Sequence, residues 1–393
     1  MKYLETHPWI DFRCDFKNAT HYMWMRLGAA QAKCKEVAHV PLRPDMADEL
    51  YQIYLAKGVM ATTAIEGNTL NEAQVLQQIK GELVLPESKQ YLANEAQNVI
   101  EACNHIAKNT LGGDCEAITV DDILKYNEFV LKGLELDEGT IPGEIRTHSV
   151  VVGNVYRGAP PEDCEYLLQM FCDFLNNSDN FDLRHDNCTV ASGILKAIIA
   201  HLYLAWIHPF GDGNGRTARL LELKILLMHG VPMPAAHLLS NYYNETRTEY
   251  YRKLRQSSQG GKNNGLIFID YAVNGFNEGL DVQLEYIHAK LIDVSWINYI
   301  HEKFKNLTST VDLRRKHLLL DLSNSEKAVA PSDAVVLSAR VARSYMDKTQ
   351  KTITRDINVL VGMNLIKKAN GKIVANKSIV VDKFLPSRIE TDW

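Results

Sequence analysis

An apolar helical pattern that breaks at one polar, glycine-rich turn and then resumes constrains this chain more than anything else in it. From Thr189, which reads as an N-cap, Ile194, Leu195, Ile198, Ile199, Leu202, Ala205 and Trp206 recur as the buried stripe of a helix, and Pro209 ends it. A second helix is predicted from about Gly215. It carries Leu220, Leu221, Leu223, Ile225, Leu226 and Leu227 to Gly230, with Pro232 and Pro234 beyond as stop signals. Helix, polar turn, helix is the expectation, in a chain whose periodicity stays helical to about residue 310.

Strand signals are sparse before that point. Ser149-Val150-Val151-Val152 is β-branched, Gly153-Asn154 offers a positive-φ turn, and Val155-Tyr156-Arg157 can return as a short hairpin before Pro160-Pro161. The polar stretch from Gln256 to Gly265 reads as a loop. Beyond Pro331 the pattern changes. A short helix opens at Ser338-Ala339-Arg340-Val341, a second runs over Thr349–Leu360, and Leu365-Ile366-Lys367-Lys368 and Ile373-Val374 flank the hairpin signal Ala369-Asn370-Gly371. Two helices and a hairpin are the pattern of a winged helix-turn-helix. The fold expected is mainly α, with a short β-hairpin and a small C-terminal winged helix-turn-helix domain. Its divisions are an N-terminal helical region over 1–110, a core over 111–280, a helical connector over 281–330 and the last domain over 331–393.

Composition narrows the function classes. With 46% hydrophobic and 23% charged residues over 393 positions, the chain can build real cores, which excludes disordered and fibrous classes, and it is too long for one ordinary domain. Its net charge of −5, from 43 basic against 48 acidic residues, gives no chain-wide cationic field for nucleic acid or membrane. The charge is segregated: residues 331–393 hold 7 Lys and 4 Arg against 6 acidic residues, a net +5, which leaves −10 upstream. The seven cysteines form no Cys-x-x-Cys and are odd in number, so a disulfide framework or zinc site is not expected. The start lacks a signal-peptide core and no uninterrupted apolar run reaches a membrane span, so no membrane partner is expected and a cytoplasmic location is.

The turn between the central helices carries the chemistry: His208-Pro209-Phe210-Gly211-Asp212-Gly213-Asn214-Gly215-Arg216-Thr217-Ala218-Arg219. Gly213, Asn214 and Gly215 are expected to adopt positive φ and turn their N–H groups into an anion nest at the positive end of the next helix. Arg216 and Arg219, three apart in a first turn, oppose the helix dipole unless an anion joins them. Asp212 offers a hard oxygen ligand suited to Mg²⁺ carrying phosphates, and His208 is the nearby side chain suited to act as general base. Phe210 reads as a core anchor holding the turn. The set points to phosphoryl-type transfer.

This stretch resembles the Fic family signature, His-x-Phe-x-Asp/Glu-Gly-Asn-Gly-Arg-x-x-Arg, at every defined position, and the resemblance extends over roughly residues 60 to 275. Fic enzymes typically transfer AMP from ATP to a hydroxyl side chain of a target protein. The resemblance implies that His208 deprotonates the target hydroxyl and Asp212 holds Mg²⁺. It implies that Gly213, Asn214 and Gly215 cradle the phosphates, and that Arg216 and Arg219 bind the polyphosphate, Arg219 at its γ end. The Val150, Val151, Val152, Gly153, Asn154, Val155 hairpin lies where the family keeps a flap that docks an extended target segment by backbone pairing. Tyr250 and Tyr251 are similar to the family's aromatic pair near the nucleotide. Ser258 departs from relatives that place Asn seven residues after that pair, which weakens the adenine assignment.

Upstream, Thr62-Thr63-Ala64-Ile65-Glu66-Gly67-Asn68 resembles the family's inhibitory motif in the subgroup that carries it N-terminally. A carboxylate in the last turn of a helix faces the negative end of the dipole and needs a cation. By the resemblance Arg219 is that cation, and Glu66 competes with ATP for it. The function expected is a self-inhibited protein adenylyltransferase acting on a Ser, Thr or Tyr hydroxyl, its own included. Two alternatives stand: removal of AMP with Glu66 orienting water, and a DNA-binding regulator with a nucleotide-sensing core. A kinase-like variant that carries Lys where this chain has Gly215 is disfavoured. Duplex DNA or protein is the partner class for residues 331–393, with Thr349, Gln350, Lys351, Thr352 and Arg355 as candidate contacts. A homodimer burying the inhibitory helix is a natural means of control.

Overall fold

The structure, a computed structural model, describes every residue except 14, 113–116, 154–155, 182, 184–187, 260–264, 326 and 382–393. It is mainly helical. The helices are α1 (Tyr3–Thr6), α2 (His21–His39), α3 (Pro44–Ile65), α4 (Glu72–Ile79), α5 (Gln90–Leu111), α6 (Val120–Leu131), α7 (Pro161–Asn176), α8 (Thr189–Ile207), α9 (Asn214–Met228), α10 (Leu238–Glu245), α11 (Arg247–Ser257), α12 (Gly265–Lys303), α13 (Thr310–Ser323), α14 (Ala339–Tyr345) and α15 (Gln350–Gly362). The strands form two separate antiparallel hairpins, β1 (Val151–Val152) with β2 (Tyr156–Arg157) and β3 (Ile366–Ala369) with β4 (Lys372–Ala375). The chain divides into two compact units, Met1–Leu284 and Glu285–Trp393, and the division falls inside α12.

Unit 1 is organised around α8. A helix that is apolar on every side belongs in a core, and Ile194, Ile198, Leu202 and Trp206 are all buried. By length and composition α8 could cross a membrane, but 78% of its apolar window is buried within the protein. It packs along α9, which in turn packs on α5 and α6, while α3 lies against α10, α4 and α5. Both central helices begin one residue earlier than the sequence suggests. Cys188, not Thr189, is the N-cap of α8, with no side-chain cap bond, and α9 starts at Asn214. Among the described residues of the first hairpin, Val151 pairs with Arg157 and Val152 with Tyr156, and the Gly158 N–H then donates to the Val150 carbonyl at 3.1 Å. Asn154 and Val155 of the predicted turn lie outside the described residues.

In unit 2, the stretch predicted as a connector is part of the core. Trp296, Ile300 and Phe304 of α12 and Leu318, Leu319 and Leu322 of α13 pack in one cluster with Val341, Ile353, Leu360, Ile366 and Ile373. The reason is amphipathicity that a linker would lack: these residues recur three or four apart on each helix. Ser338 caps α14 by accepting the Val341 N–H at 3.1 Å, and Asn370 and Gly371, with φ of 51° and 74°, make the two-residue turn between β3 and β4.

Candidate active site

The site forms where α8 stops and α9 starts. His208 ends α8 in the left-handed region (φ 51°, ψ 58°), a conformation few non-glycine residues hold without support. Arg146 supplies that support. Its Nε donates to the His208 carbonyl at 2.7 Å, and its two Nη groups donate to the carbonyls of His148 at 2.7 Å and Ala159 at 2.5 Å. One buried guanidinium thus ties the histidine to both ends of the β1–β2 segment. Tyr156 adds a hydroxyl bond to the Trp206 carbonyl at 2.6 Å. His208 Nδ1 faces the Ala205 carbonyl at 3.3 Å, which assigns the proton to Nδ1 and leaves Nε2 as an acceptor. Burial pushes the imidazole down to about 4, so it is neutral at pH 7.

The turn departs from the predicted nest in one respect. Among the three residues expected to take positive φ, only Gly213 does (φ 75°); Asn214 and Gly215 already belong to α9. Asn214 uses both side-chain groups to close the turn, accepting the Phe210 N–H at 3.0 Å and donating to the Phe210 carbonyl at 2.9 Å. Its side chain is therefore a staple, and the backbone is what remains for a ligand. No side chain caps α9, so its first N–H groups stay open at the positive end of the dipole. Phe210 is buried, as expected of an anchor.

Both arginines expected to wait for an anion already have partners from distant helices. Arg219 donates from Nε to Thr62 Oγ1 at 2.6 Å and from Nη2 to the Thr62 carbonyl at 3.1 Å and to Glu66 Oε1 at 2.5 Å, while its buried Nη1 has no partner among the described residues. A Cβ at Gly215 would lie 2.5 Å from Glu66 Oε1, so only glycine admits this pair over the turn. Arg216 donates to Glu95 Oε1 at 2.6 Å and lies 3.4 Å from Asp212 Oδ2. Glu95 also accepts from Asn68 Nδ2 at 2.8 Å, so the segment after Glu66 and the signature turn share one carboxylate. Burial alone would raise the Glu66 carboxyl; the Arg219 guanidinium and its hydrogen bond, with Arg216 and His208 beyond, hold it below the usual range.

Glu66 is itself the residue that caps α3, with Gly67 following at φ 107°. The carbonyls exposed there are held by α11: Arg247 donates to Ala64 at 3.1 Å and to Ile65, and the Tyr251 hydroxyl donates to Ile65 at 3.4 Å. A cavity of about 700 Å³ opens between these elements, lined by Glu66, Val150–Gly153, Tyr156, His208, Gly211–Gly215, Arg219, Tyr250 and Tyr251 among others. Tyr250 forms its buried wall and Tyr251, 42% exposed, its rim. Behind Tyr250 runs a polar chain that the sequence did not announce: its hydroxyl lies 2.9 Å from His201 Nε2, His201 Nδ1 lies 3.1 Å from Glu222 Oε2, and Tyr243 donates to Glu222 Oε1 at 2.9 Å. Ser258 ends α11 by bonding the Arg255 carbonyl at 3.0 Å. The remaining hints were charges on apolar helix faces, Glu222 within the leucine run and His201 seven residues before His208.

An open helix N-terminus, a neutral histidine and Arg219 line this cavity, an arrangement that suits an anionic ligand. Residues 117–226 match the model of the Fic/DOC family. Over 216 residues the chain is 35% identical to protein adenylyltransferase fic-1 of Caenorhabditis briggsae, covering 55% of this chain and 38% of that protein. It is 32% identical over 199 residues to protein adenylyltransferase Fic of Nematostella vectensis, 51% of this chain and 42% of that one. The chain thus spans less than half the length of these curated relatives. Among solved structures, Fic-1 (residues 134–508) of C. elegans aligns with a TM-score of 0.53 at 26% identity over 68% of this chain and 74% of that one. A Fic family protein from Desulfovibrio desulfuricans G20 aligns with a TM-score of 0.56 at 19% identity over 91% and 96%, a likeness of fold.

Proposed function

We propose that unit 1 transfers AMP from ATP to a hydroxyl side chain of a protein and that Glu66 holds it idle. The observation that carries the reading is Arg219: it lies beneath an uncapped, anion-ready helix terminus, yet its guanidinium is committed to Glu66 and Thr62. The names of the relatives, protein adenylyltransferases, agree with it. The triphosphate would lie along the N–H groups of α9, with Arg216 and Arg219 as counter-charges. His208 Nε2 would take the proton of the target hydroxyl as its oxygen bonds to the α-phosphorus, and the bond from that phosphorus to the bridging oxygen would break to release pyrophosphate. The Asp212 carboxylate lines the cavity, is 55% exposed and has its weaker contact, 3.4 Å, at Oδ2. That fits Mg²⁺, which takes one or two carboxylates and fills its shell with phosphates and water. Bound there through Asp212, Mg²⁺ would offset charge on the phosphates. The β1–β2 edge beside the cavity would register an extended target segment.

Glu66 inhibits in this reading because the γ-phosphate and its carboxylate compete for the one Arg219 guanidinium. Labelling from α-³²P-ATP with Mg²⁺ tests the proposal in wild type, Glu66→Gly and Glu66→Gly/His208→Ala, scoring the enzyme itself as well as added protein. Strong labelling by Glu66→Gly alone is the expected result. No labelling by any variant that still binds ATP overturns AMP transfer, and equal labelling by wild type and Glu66→Gly overturns the inhibition.

A further inference from the structure

Unit 2 sorts its charges in a way that the site in unit 1 does not need. The one acidic residue of α15, Asp356, is fully buried and withdrawn from the surface. Its Oδ2 accepts from Arg314 Nε at 2.9 Å and Nη2 at 2.7 Å and from the Tyr345 hydroxyl at 3.1 Å, and its Oδ1 accepts from Arg315 Nε at 2.9 Å. The opposite face of α15 is left without an acid. Lys351 and Arg355, four apart, are exposed and make no ion pair among the described residues. Beside them Gln350, Thr354 and Asn358 form a second exposed row at the same spacing. The β3–β4 hairpin brings further cations to this helix: Lys368 Nζ donates to Asn358 Oδ1 at 2.7 Å, and Lys367 and Lys372 are exposed. Asp347 and Lys348 in the preceding turn offset each other.

We propose that the exposed face of α15, with the β3–β4 hairpin beside it, binds duplex DNA through the major groove. At 1.5 Å per residue α15 is roughly 20 Å long, and the major groove, about 12 Å wide, admits one helix. Lys351, Arg355 and Lys372 match phosphates, and the Gln350 carboxamide presents the paired donor and acceptor that base edges require, while the Asn358 oxygen is held by Lys368. A protein partner fits this face less well. Ile353, Ile357 and Leu360 point into the core, and Val359 is the one apolar side chain that lines this face beside Gln350, Lys351, Thr354, Arg355 and Asn358, where protein interfaces place aromatic anchors. The deep, narrow groove of A-form RNA would not receive the helix. The inference is independent of AMP transfer.

The test is fluorescence anisotropy of the full chain on a random-sequence DNA duplex of about 30 base pairs, against an RNA duplex of equal length, across a salt series. The variants are Lys351→Ala/Arg355→Ala and, as a control elsewhere in unit 2, Lys305→Ala. DNA affinity is expected to fall steeply with salt, and the double variant to flatten the log–log slope by about 1.8, two phosphate contacts at about 0.9 each. Its affinity should drop at least tenfold, with Lys305→Ala unchanged. Weak, salt-insensitive binding, equal affinity for the RNA duplex, or equal losses in the double variant and the control would each overturn the proposal. All three positions are on the surface, so circular dichroism should match wild type throughout.

Discussion

The signature turn and the outer face of α15 both present arginine or lysine at helical spacing, yet the protein treats them in opposite ways. At the turn, Arg216 and Arg219 are buried and each is met by a carboxylate from another helix, Glu95 and Glu66. On α15 the carboxylate is the buried partner and the outward cations are left to solvent. The difference concerns reversibility. The Glu66 side chain remains 33% exposed and sits at a helix terminus, where opening is local; Asp356 is held on three sides within a core, where opening means unfolding. One pair can part by a local opening, and the other cannot.

Removing each acid should therefore break the molecule in different ways. The largest effect belongs to neither: on the Glu66→Gly background, His208→Ala should lower AMP transfer by about 10²- to 10⁴-fold, the usual yield of a positioned base, read as initial labelling rate. Next, Asp356→Asn should destabilise unit 2 by about 3–5 kcal/mol, because it leaves two buried or half-buried guanidinium groups short of a charge; chemical denaturation followed at Trp296 would show it. Glu66→Gly should instead raise transfer by at least about tenfold and lose less stability in the same denaturation, because the Arg219 guanidinium left behind keeps its bonds to Thr62 and lines the cavity. Similar stability losses in the two variants would erase the distinction drawn between them.

Smaller effects sharpen the picture of the turn. Arg146→Ala should lower kcat by about 10- to 100-fold with little change in KM for ATP, since it frees the His208 carbonyl and leaves the phosphate-side N–H groups alone. Arg146→Lys should recover little, because a lysine cannot serve three carbonyls in fixed directions. If kcat is unchanged in a variant that is still folded, Arg146 is structural only. The pH profile is the mildest probe. In the proposed reaction the base is the neutral imidazole of His208, and burial has moved its protonation from the ordinary 6.5 to about 4, so on acidification the rate of Glu66→Gly should hold through pH 6.5 and fall only on approaching pH 4. Loss of Glu66, which raises His208, moves that limb further down. An acid limb near 6.5 would mean a solvated histidine.

Much of this site could be read in the chain because it is contiguous. His208, Asp212, Gly213, Arg216 and Arg219 fall within one turn and the first coils of a helix, where spacing alone fixes which groups meet. Glu66 was legible through the resemblance of Thr62–Asn68 to the inhibitory motif, which an acid beside a glycine at a helix end supports. The hairpin of unit 2 followed from Asn370-Gly371, whose backbone preference is local. What escaped were the residues that act across distance. Arg146 reaches His208 from 62 positions away, Glu95 reaches Arg216 from 121, and Arg247 reaches the end of α3 from 182 and 183. The stretch after residue 281 read as a connector because its helical stripes show no partner until α15 and the hairpin fold over them.

The sequence by itself thus determined the inventory of the turn, the ends of its helices to within a residue and the sorting of charge between the two halves, all properties set by neighbours along the chain. The tertiary structure alone decided which cation is spent and which is free. A guanidinium on a flexible stem bonds whatever carboxylate the packing of distant helices brings within about 3 Å, and no local preference specifies that partner.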